Sequence, residues 1–391
     1  MKQVALCEPN LIGKEKEYLI DCIESNWVSS SGKYVDKFQE SVCSYTGIPY
    51  SSALSSGTSA LHLALIISGV RQDEEVLVPS LTFIAPVNTI RYVGASPVFL
   101  DCDESHSLDV SKTIEFIEKE TYVSKGRCFN KKSNKVIAAL IPVHIWGNIV
   151  QVSRLVDICK ERKIKIIEDC SESLGSFYPN KKGKLVHTGS LSDFSCLSFN
   201  GNKIITSGGG GMLLSSKKKE AELAKYLSTQ SKDDPFQYIH KEIGFNYRLT
   251  NIQAAVGLAQ IEKIDYFLTL KKEIYNNYVK QFSDIDNVEL VSCTESGLSN
   301  HWMNVIRLNM TKNASTRDRV IKALIKNNIE CRPVWFPNHL QKPYKSFQAY
   351  KVTRAKKEVN SCVCLPSSSS LKEKEISKIV KVIKEALVKK R

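Results

Sequence analysis

Short β-rich runs alternate with helix-like stretches between residues 50 and 216, and this pattern limits what the chain can fold into. The runs lie at 51–56, 75–80, 97–101, 136–145, 163–170, 194–200 and 211–216. Their order of strand, helix and strand predicts an α/β domain. The segment 136–141, Val-Ile-Ala-Ala-Leu-Ile, is apolar on both faces. Because such strands are covered by helices on both sides, we expect a mainly parallel sheet built from the seven runs.

The residues after the sheet-forming part indicate a second, smaller α/β domain. A chain of 391 residues with 42% apolar content can bury a large core, and its length suggests more than one domain. Strand-like runs at 288–291 and 304–308 precede a helix for which Ser315 or Thr316 is the expected N-cap. The last helix carries an apolar stripe over 376–387, which we expect to pack on this domain and not on a membrane surface.

The domain boundary is placed in a helical part of the sequence. Residues 1–45 have a helical pattern, and a long helical stretch over 250–282 is expected to link the two domains. We therefore predict a large domain over residues 1–265, with an N-terminal helical segment, and a small domain over residues 266–391.

Composition excludes several classes of protein. The first 18 residues carry six charged side chains and lack the apolar core of a signal peptide. No stretch approaches the ~20 apolar residues that span a bilayer. The twelve cysteines are scattered, without a CxxC pair or a zinc-type spacing to histidine, which is typical of reduced thiols in a cytosol. We predict a cytoplasmic protein with no membrane insertion and no metal site.

The net charge of +14 is compatible with nucleic-acid binding, because lysine-rich surfaces neutralise phosphates. However, lysines are spread along the whole chain. The densest runs, at 217–219 and 389–391, lack interleaved aromatic residues and a recognisable reading helix. We therefore expect solvated lysine-rich faces and no nucleic-acid partner, although a positive surface would also attract a small dianionic ligand.

A glycine lies where the first predicted strand meets an apolar helix, in the segment 55–61, Ser-Ser-Gly-Thr-Ser-Ala-Leu. The free N–H groups of a helix N-terminus attract an anion, and Gly57 lets the backbone come close, so the segment is a candidate phosphate cradle. An ordinary strand-to-helix turn is the alternative. No GxxxxGK or GxGxxG motif occupies such a junction, and the glycine run 208–211 precedes a strand, which excludes Walker and Rossmann sites.

Two further segments place reactive side chains at strand ends. The strand 163–170 presents Glu168 and Asp169 at its C-terminal end, where ligands bind in open α/β sheets. An aspartate there can keep a pyridine nitrogen protonated, or it can simply cap a turn. The strand 194–200 delivers Lys203 into a glycine-lined turn. Lysine forms a Schiff base with an aldehyde cofactor and can shuttle protons. The alternative is that Lys203 is an ordinary surface lysine.

These segments together resemble the DegT/StrS family of sugar aminotransferases over nearly the whole chain. The matching motifs are SSGTSALHLAL at 55–65, VPSLTFIAPVNTI at 78–90, PVHIWGN at 142–148, IIEDCSESLGS at 166–176, SFNGNKIITSGGGG at 198–211 and GFNYRLTNIQAAVG at 244–257. The resemblance implies a fold type I transferase that depends on pyridoxal 5′-phosphate (PLP), with a mainly parallel seven-stranded sheet in its large domain and a smaller C-terminal α/β domain.

The resemblance also implies roles for individual residues. Lys203 and Asp169 would be catalytic, the first as the Schiff-base lysine and proton shuttle, the second as the partner of the pyridine nitrogen. Phe83 would stack on the cofactor ring. Asn246 would reach the phosphate from a neighbouring subunit, so that a homodimer shares its active sites. The full set of implied cofactor contacts is Gly57, Thr58, Ser59, Phe83, Asp169, Glu172, Ser198, Lys203 and Asn246.

Three segments, 26–33, 82–85 and 168–173, most resemble the branch that acts on UDP-linked 4-keto-6-deoxy-N-acetylhexosamines. The implied reaction moves an amino group from glutamate, which leaves as 2-oxoglutarate, to C4 of the nucleotide-sugar, for a surface glycan such as a lipopolysaccharide O-antigen or a sialic-acid-like sugar. A dTDP- or GDP-linked keto-sugar remains an alternative, as does a non-catalytic regulator or nucleic-acid-binding protein on the same fold. Dehydratase relatives replace the lysine with histidine, which argues against that activity here. Stereochemistry at C4 is left open.

Five residues are candidate substrate contacts, with packing or turn roles as the alternative. They are Trp27, Ser29, His144, Arg332 and His339.

Overall fold

The computed structural model describes residues 3–293, 296–309 and 313–388. The α-helices in this part of the chain are α1 (Glu15–Glu24), α2 (Lys33–Thr46), α3 (Gly57–Ile67), α4 (Ala85–Tyr92), α5 (Val110–Lys119), α6 (Val156–Glu161), α7 (Lys218–Ser228), α8 (Asn251–Ile261), α9 (Ile264–Phe282), α10 (Asn313–Lys326), α11 (Arg354–Glu358) and α12 (Glu373–Val388). The strands are β1 (Tyr50–Leu54), β2 (Glu75–Pro79), β3 (Ser96–Leu100), β4 (Thr121–Ser124), β5 (Arg127–Asn130), β6 (Ile137–Leu140), β7 (Lys165–Asp169), β8 (Phe177–Pro179), β9 (Leu185–His187), β10 (Phe194–Ser198), β11 (Gly211–Ser215), β12 (Lys232–Asp234), β13 (Ile239–His240), β14 (Val288–Leu290), β15 (Asn304–Leu308), β16 (Arg332–Pro333) and β17 (Cys362–Leu365).

A seven-stranded sheet in the order β1-β11-β10-β7-β6-β2-β3 forms the centre of the molecule. Its five strands from β10 to β3 run parallel, whereas β11 is antiparallel to both of its neighbours. Each of the seven predicted runs overlaps one of these strands, and the predicted α/β class with a mainly parallel sheet is confirmed. Parallel strands end at one edge, so β7 and β10 bring the residues after them to the same side of the sheet.

Alternate residues of the parallel strands face two different cores. Val76 and Val78 of β2 belong to the cluster that contains α3, while Leu77 between them belongs to the cluster that contains α5 and α6. This alternation with a period of two explains why the strands are apolar on both faces. Eight residues of α3 are buried, because this helix packs between β10, β11 and α4. The N-terminus of α3 is therefore held rigidly at the edge of the sheet.

A four-stranded antiparallel sheet, in the order β14-β15-β17-β16, forms a second layer with α9, α10 and α12. The apolar stripe of α12 packs on this layer through Ile376, Ile379 and Ile383, as expected for a docked helix. The expected N-cap at Ser315 or Thr316 is wrong, because α10 already includes residue 313 and both residues lie within its first turn. The basic run 389–391 lies outside the described residues.

The helical expectations at the domain boundary and at the N-terminus need correction. The predicted stretch 250–282 is two helices, α8 and α9, interrupted at Glu262 and Lys263. Residues 3–14 are not helical, and Val4 instead forms a parallel bridge with Ile329 beside the small sheet. The first residues thus pack with the part of the chain after residue 265. The division into domains at 265/266 stays a prediction, and it falls in the first turn of α9.

Among the described residues, no helix is long and apolar enough to cross a membrane.

Candidate active site

A cavity of about 390 Å³ opens at the edge of the large sheet where the parallel strands end. Its lining comes from the N-terminus of α3, the ends of β7 and β10, and loops that follow β2, β10 and β16. Seven of the nine residues implied as cofactor contacts line it together. They are Gly57, Thr58, Phe83, Asp169, Glu172, Ser198 and Lys203.

The N-terminus of α3 is built for a close approach. Ser56 is the N-cap, and its Oγ accepts a hydrogen bond from the backbone N–H of Ser59 at 3.0 Å. A β-carbon at position 57 would lie 2.9 Å from the β-carbon of Ser198 and 3.1 Å from Oγ of Ser171, so only glycine lets α3 approach β10 this closely. The first N–H groups of the helix and the hydroxyls of Thr58 and Ser198 meet at the cavity, which is the arrangement that binds an anion.

Ser59 does not line this cavity. Its side chain is buried, and its Oγ lies 2.8 Å from Oγ of Ser56 and 3.1 Å from Oγ of Ser55. These contacts support the helix cap, so the geometry gives Ser59 a place behind the anion cradle and not on its surface.

Lys203 projects its amine into the cavity from the turn after β10. The Nζ atom lies 3.3 Å from Oε1 of Glu172 and 4.3 Å from the ring centre of Trp302, and the side chain is only 14% exposed. The backbone N–H of Lys203 donates to the carbonyl oxygen of Asn200 at 3.0 Å and closes the turn. The amine is thus enclosed by one carboxyl group and one indole, and it is not a solvated surface lysine.

Glu172 is buried beside this amine. Its Oε2 accepts a hydrogen bond from the backbone N–H of Trp146 at 2.8 Å. Burial raises the pKa of Glu172 to about 7, although Lys203 and the Trp146 N–H act in the opposite direction. A carboxyl group with this pKa can hold or release a proton near neutral pH.

Two adjacent acids at the end of β7 face different surroundings, because successive residues of a strand point to opposite faces. Asp169 lines the cavity, and its Oδ1 accepts from the backbone N–H of Ser171 at 3.0 Å. Burial raises the pKa of Asp169, while hydrogen bonds from Ser171 and the charge of Lys203 lower it. Glu168 points away from the cavity, so the site uses only Asp169 of this pair.

His144 is held by Glu168 on the other side of the strand. The ring is fully buried, its Nδ1 accepts from the backbone N–H of Val150 at 3.1 Å, and its Nε2 therefore donates to Oε2 of Glu168 at 2.7 Å. Oε2 also accepts from the backbone N–H of Gly189 at 2.9 Å. The structure does not bring His144 to the cavity.

The other four candidate substrate contacts also lie away from the cavity lining. His339 is buried, with Nδ1 2.6 Å from Oγ of Ser80. Trp27 is 57% exposed, Ser29 is exposed in the segment before α2, and Arg332 is exposed on β16. Any contact that these residues make with a substrate would need a second subunit or a substrate that extends beyond the cavity, and it stays a prediction.

Asn246 is exposed and lines a separate surface cavity of about 650 Å³, together with Arg248, Lys225 and Lys232. It does not reach the cavity of its own chain, which leaves its expected contact across a subunit interface as a prediction.

Two tryptophans of the site were not predicted from the sequence. Trp302 and Trp335 line the cavity, and Trp146 lies between them with ring centres 6.2 Å and 4.3 Å away, respectively. We call these three residues the tryptophan stack. Phe83 lies near its outer end, with its ring centre 5.8 Å from that of Trp335. Trp302 and Trp335 are more than 90 residues from every motif residue of the parallel sheet, so only the tertiary fold brings them here.

Two polar atoms in the cavity wall lack a partner. Oγ1 of Thr82 and Oδ1 of Asn202 are buried without a hydrogen bond to any described residue. Buried polar groups are nearly always satisfied in a complete structure, so these atoms indicate that a polar ligand belongs in the cavity.

The cavity combines an amine that follows one parallel strand, a buried carboxyl group at the end of the neighbouring strand in the sheet, and an anion cradle at a helix N-terminus. This combination defines a PLP-dependent enzyme of the α/β class. The chain belongs to the DegT/DnrJ/EryC1/StrS aminotransferase family, whose sequence model matches residues 9–384.

Proteins that are similar to this chain support the family assignment. The chain is 34% identical to a GDP-perosamine synthase of Caulobacter vibrioides over 99% of both chains, and 36% identical to one of Escherichia coli O157:H7 over 98% of this chain and 99% of the other. It is 31% identical to a UDP-4-amino-4,6-dideoxy-N-acetyl-beta-L-altrosamine transaminase of Campylobacter jejuni, over 74% of this chain and 68% of the other. The Helicobacter pylori aminotransferase PseC shares the fold, with a TM-score of 0.86 at 23% identity over 98% of this chain and 99% of the other.

The expected family, the fold type I architecture, the sugar aminotransferase activity and PLP as cofactor are thereby confirmed. The cavity fits the cofactor, because it offers an amine for an aldehyde, a carboxyl group for a pyridine nitrogen and a helix N-terminus for a phosphate.

Proposed function

We propose that this chain transfers an amino group from glutamate to the C4 ketone of a nucleotide-linked 4-keto-6-deoxy sugar, with Lys203 as the residue that holds PLP. The observation that carries this proposal is the position of the Lys203 amine, 3.3 Å from the carboxyl group of Glu172 in a cavity bounded by Asp169 and the α3 cradle. The reaction needs an amine and a proton donor and acceptor within reach of one another, and this arrangement supplies them.

When bound, PLP supplies an electron sink for the carbon that loses or gains a proton. Gly57, Thr58 and Ser198 would hold its phosphate, and the negative charge of Asp169 would keep its pyridine nitrogen protonated. Lys203 would hold the aldehyde of the cofactor, and its free amine would take or return the proton at the substrate carbon that loses or gains it. Glu172 exchanges a proton with the Lys203 amine because its pKa of about 7 lets it serve in either state.

The nucleotide of the substrate is proposed to be GDP. Identities of 34% and 36% over nearly the full length of two GDP-perosamine synthases support it. The UDP-linked acetamido-sugar expected from the short segments of the sequence is the second candidate, supported by the 31% and 32% identities to two Campylobacter jejuni transaminases over 74% and 65% of this chain.

We also propose that the protein acts as a homodimer in which Asn246 completes the partner's phosphate site. Two exposed apolar side chains in the chain segment before Asn246 support a protein partner, since Phe236 is 90% exposed and Ile243 is 87% exposed. The positive residues around Asn246 suit the phosphates of a nucleotide-sugar held in the partner's cavity. The cytoplasmic location and a role in surface-glycan synthesis stay predictions.

A panel of GDP-, UDP- and dTDP-linked 4-keto-6-deoxy sugars, assayed with glutamate, tests the proposal. We expect amination of the GDP-linked sugar with the highest kcat/KM and no amination by Lys203→Ala. Preference for the UDP- or dTDP-linked sugar would overturn the nucleotide assignment alone. Amination of none of them by protein that contains PLP would overturn the proposed function.

A further inference from the structure

Trp146, the middle member of the tryptophan stack, is fixed through both of its N–H groups. The backbone N–H donates to Oε2 of Glu172 at 2.8 Å, and the indole Nε1–H donates to Nδ1 of His106 at 3.0 Å. Its backbone is in the left-handed region, with φ of 61°, where a bulky residue is seldom found. Because tertiary contacts maintain such a conformation against local strain, the environment of Trp146 is under a strong structural constraint.

His106 has one proton arrangement that satisfies both of its partners. Its ring is fully buried, with Nε2 3.1 Å from Oε2 of Glu358. The indole of Trp146 can only donate, so Nδ1 must accept and Nε2 must carry the proton and donate to Glu358. Burial lowers the pKa of His106, which agrees with a neutral ring.

Glu358 fixes this histidine to the small sheet. Its Oε2 also accepts from Nε of Arg307 on β15 at 2.7 Å and from Sγ of Cys362 on β17 at 3.1 Å. Burial opposes the charge of Glu358, but hydrogen bonds from His106 and Arg307 lower its pKa to about 2. The carboxylate therefore stays ionised and in place, and it orients His106 through the ring nitrogen that does not contact Trp146.

We propose that His106 is a positioning residue for the tryptophan-lined wall of the active site. It holds the Trp146 indole, Trp146 fixes Trp302 and Trp335 on either side, and these two rings form one wall of the cavity. The small sheet is thereby connected to the cavity wall through Glu358, His106 and Trp146. The effect on substrate affinity rests on the proposed function, whereas the effect on the tryptophan stack does not.

Two substitutions at position 106 distinguish the effect of the hydrogen bond to Trp146 from the effect of side-chain volume. His106→Leu fills the site but cannot accept from Trp146. His106→Asn offers an amide oxygen at the position of Nδ1 and suits the left-handed backbone at φ of 69°, where asparagine is among the favoured residues. Cys362→Ala is the matched control, because it removes the Sγ contacts with Glu358 and with Nε2 of His106 and leaves the bond between Nδ1 of His106 and Trp146 in place.

The first experiment is near-ultraviolet circular dichroism of the holoenzyme, which reports the coupling of stacked indoles. We expect the tryptophan bands to collapse in His106→Leu and in Trp146→Phe, and to persist in His106→Asn and Cys362→Ala. Thermal unfolding of each variant establishes that it is folded. Unchanged bands in a folded His106→Leu protein would overturn the inference, and so would collapse in the Cys362→Ala control.

The second experiment is a double-substitution cycle in the amination of the preferred keto-sugar nucleotide. Loss of one hydrogen bond predicts a KM raised by about three- to tenfold in His106→Leu, with a smaller change in kcat and substantial rescue in His106→Asn. In the Trp146→Phe protein, the indole N–H that His106 accepts from is absent. His106→Leu should therefore raise KM little further in that protein. Additive effects of the two substitutions would show that His106 does not act through Trp146.

Failure of the proposed function and failure of the inference about His106 give different results. If wild-type protein aminates no keto-sugar, the proposed function fails, and the circular dichroism still decides the role of His106. Should His106→Leu fail to fold, Trp146→Phe carries the kinetic test from the other end of the hydrogen bond, and an unchanged KM there would overturn the inference.

Discussion

Glu172 and Lys203 form a buried pair in which the amine Nζ lies 3.3 Å from Oε1 of the carboxyl group. The carboxyl group is held from the other side by the Trp146 backbone N–H, so its position does not depend on the lysine alone. Lys203 can therefore form a covalent bond to a ligand without leaving Glu172 free to move away. The site therefore has a carboxyl group, Glu172, that stays in place next to the amine of Lys203 when that amine reacts.

Glu172 predicts a pH dependence of stability. Its pKa is raised from 4.5 to about 7, so the folded state favours the protonated form. The stabilisation is present below pH 4.5 and is lost as the pH rises to about 7. At roughly 1.4 kcal/mol per pKa unit, the free energy of unfolding should fall by about 3 kcal/mol across this window relative to Glu172→Gln. Urea unfolding of both proteins without PLP measures it, and parallel pH curves would contradict the expectation.

Asp169→Asn should keep the fold and lose most of the amine transfer. The amide oxygen can still accept from the Ser171 backbone N–H, but it cannot supply the charge that keeps a pyridine nitrogen protonated. A charge-assisted contact of about 1.5–3 kcal/mol, lost mainly in the transition state, corresponds to roughly a ten- to hundredfold drop in rate. Single-turnover reaction with glutamate at saturating PLP measures this rate. A rate near that of the wild type would remove Asp169 from the site.

Glu168→Gln is expected to lose stability and to keep most of the amine transfer. Its Oε2 accepts from His144 and from the Gly189 backbone N–H, and the hydroxyl of Tyr178 lies 3.0 Å from Oε1. An amide nitrogen placed among these donors leaves buried groups unpaired, which costs about 3–5 kcal/mol of stability. Chemical denaturation should show this loss, while glutamate turnover of the remaining folded protein stays close to that of the wild type. A large loss of turnover with unchanged stability would assign Glu168 to the chemistry.

Gly57→Ala tests the phosphate cradle. The added β-carbon would meet Ser198 at 2.9 Å, so the first turn of α3 must shift away from β10. Overpacking of this kind costs roughly 1–3 kcal/mol, and we expect PLP affinity to fall by about tenfold or more. Gly201→Ala is the control, because its β-carbon would meet nothing within 4 Å. Absorbance titration with PLP measures both, and equal affinities in the two variants would place the phosphate elsewhere.

The sequence was sufficient for the parts of the site that depend on local order along the chain. Gly57, Asp169 and Lys203 lie at or just after the ends of strands whose period could be recognised, and the C-terminal ends of parallel strands meet at one edge of the sheet. Ser198 was implied only by the family resemblance. Trp302 and Trp335 could not be found in this way, since they enter the site from distant loops through tertiary packing.

The roles of the histidines depend on tertiary contacts that the sequence does not show. His144 lies in a motif beside the site and His339 lies in the loop after β16, and the structure places both away from the cavity lining, in contact with Glu168 and Ser80. A buried histidine that satisfies polar neighbours and one that contacts a ligand have the same sequence pattern. His106 could not be predicted for the same reason, because nothing near it in the chain shows that Trp146 donates to its ring.

Reduction of the PLP-loaded protein with borohydride, followed by peptide mass spectrometry, tests the role of Lys203 most directly. A Schiff base becomes a stable phosphopyridoxyl adduct on the lysine that carried it. We predict this adduct on the peptide that contains Lys203 and its absence from Lys203→Ala, which should also lack the yellow colour of the wild type. An adduct on another lysine in the wild-type protein, or a yellow and reducible Lys203→Ala protein, would contradict the assignment of Lys203 as the residue that holds the cofactor.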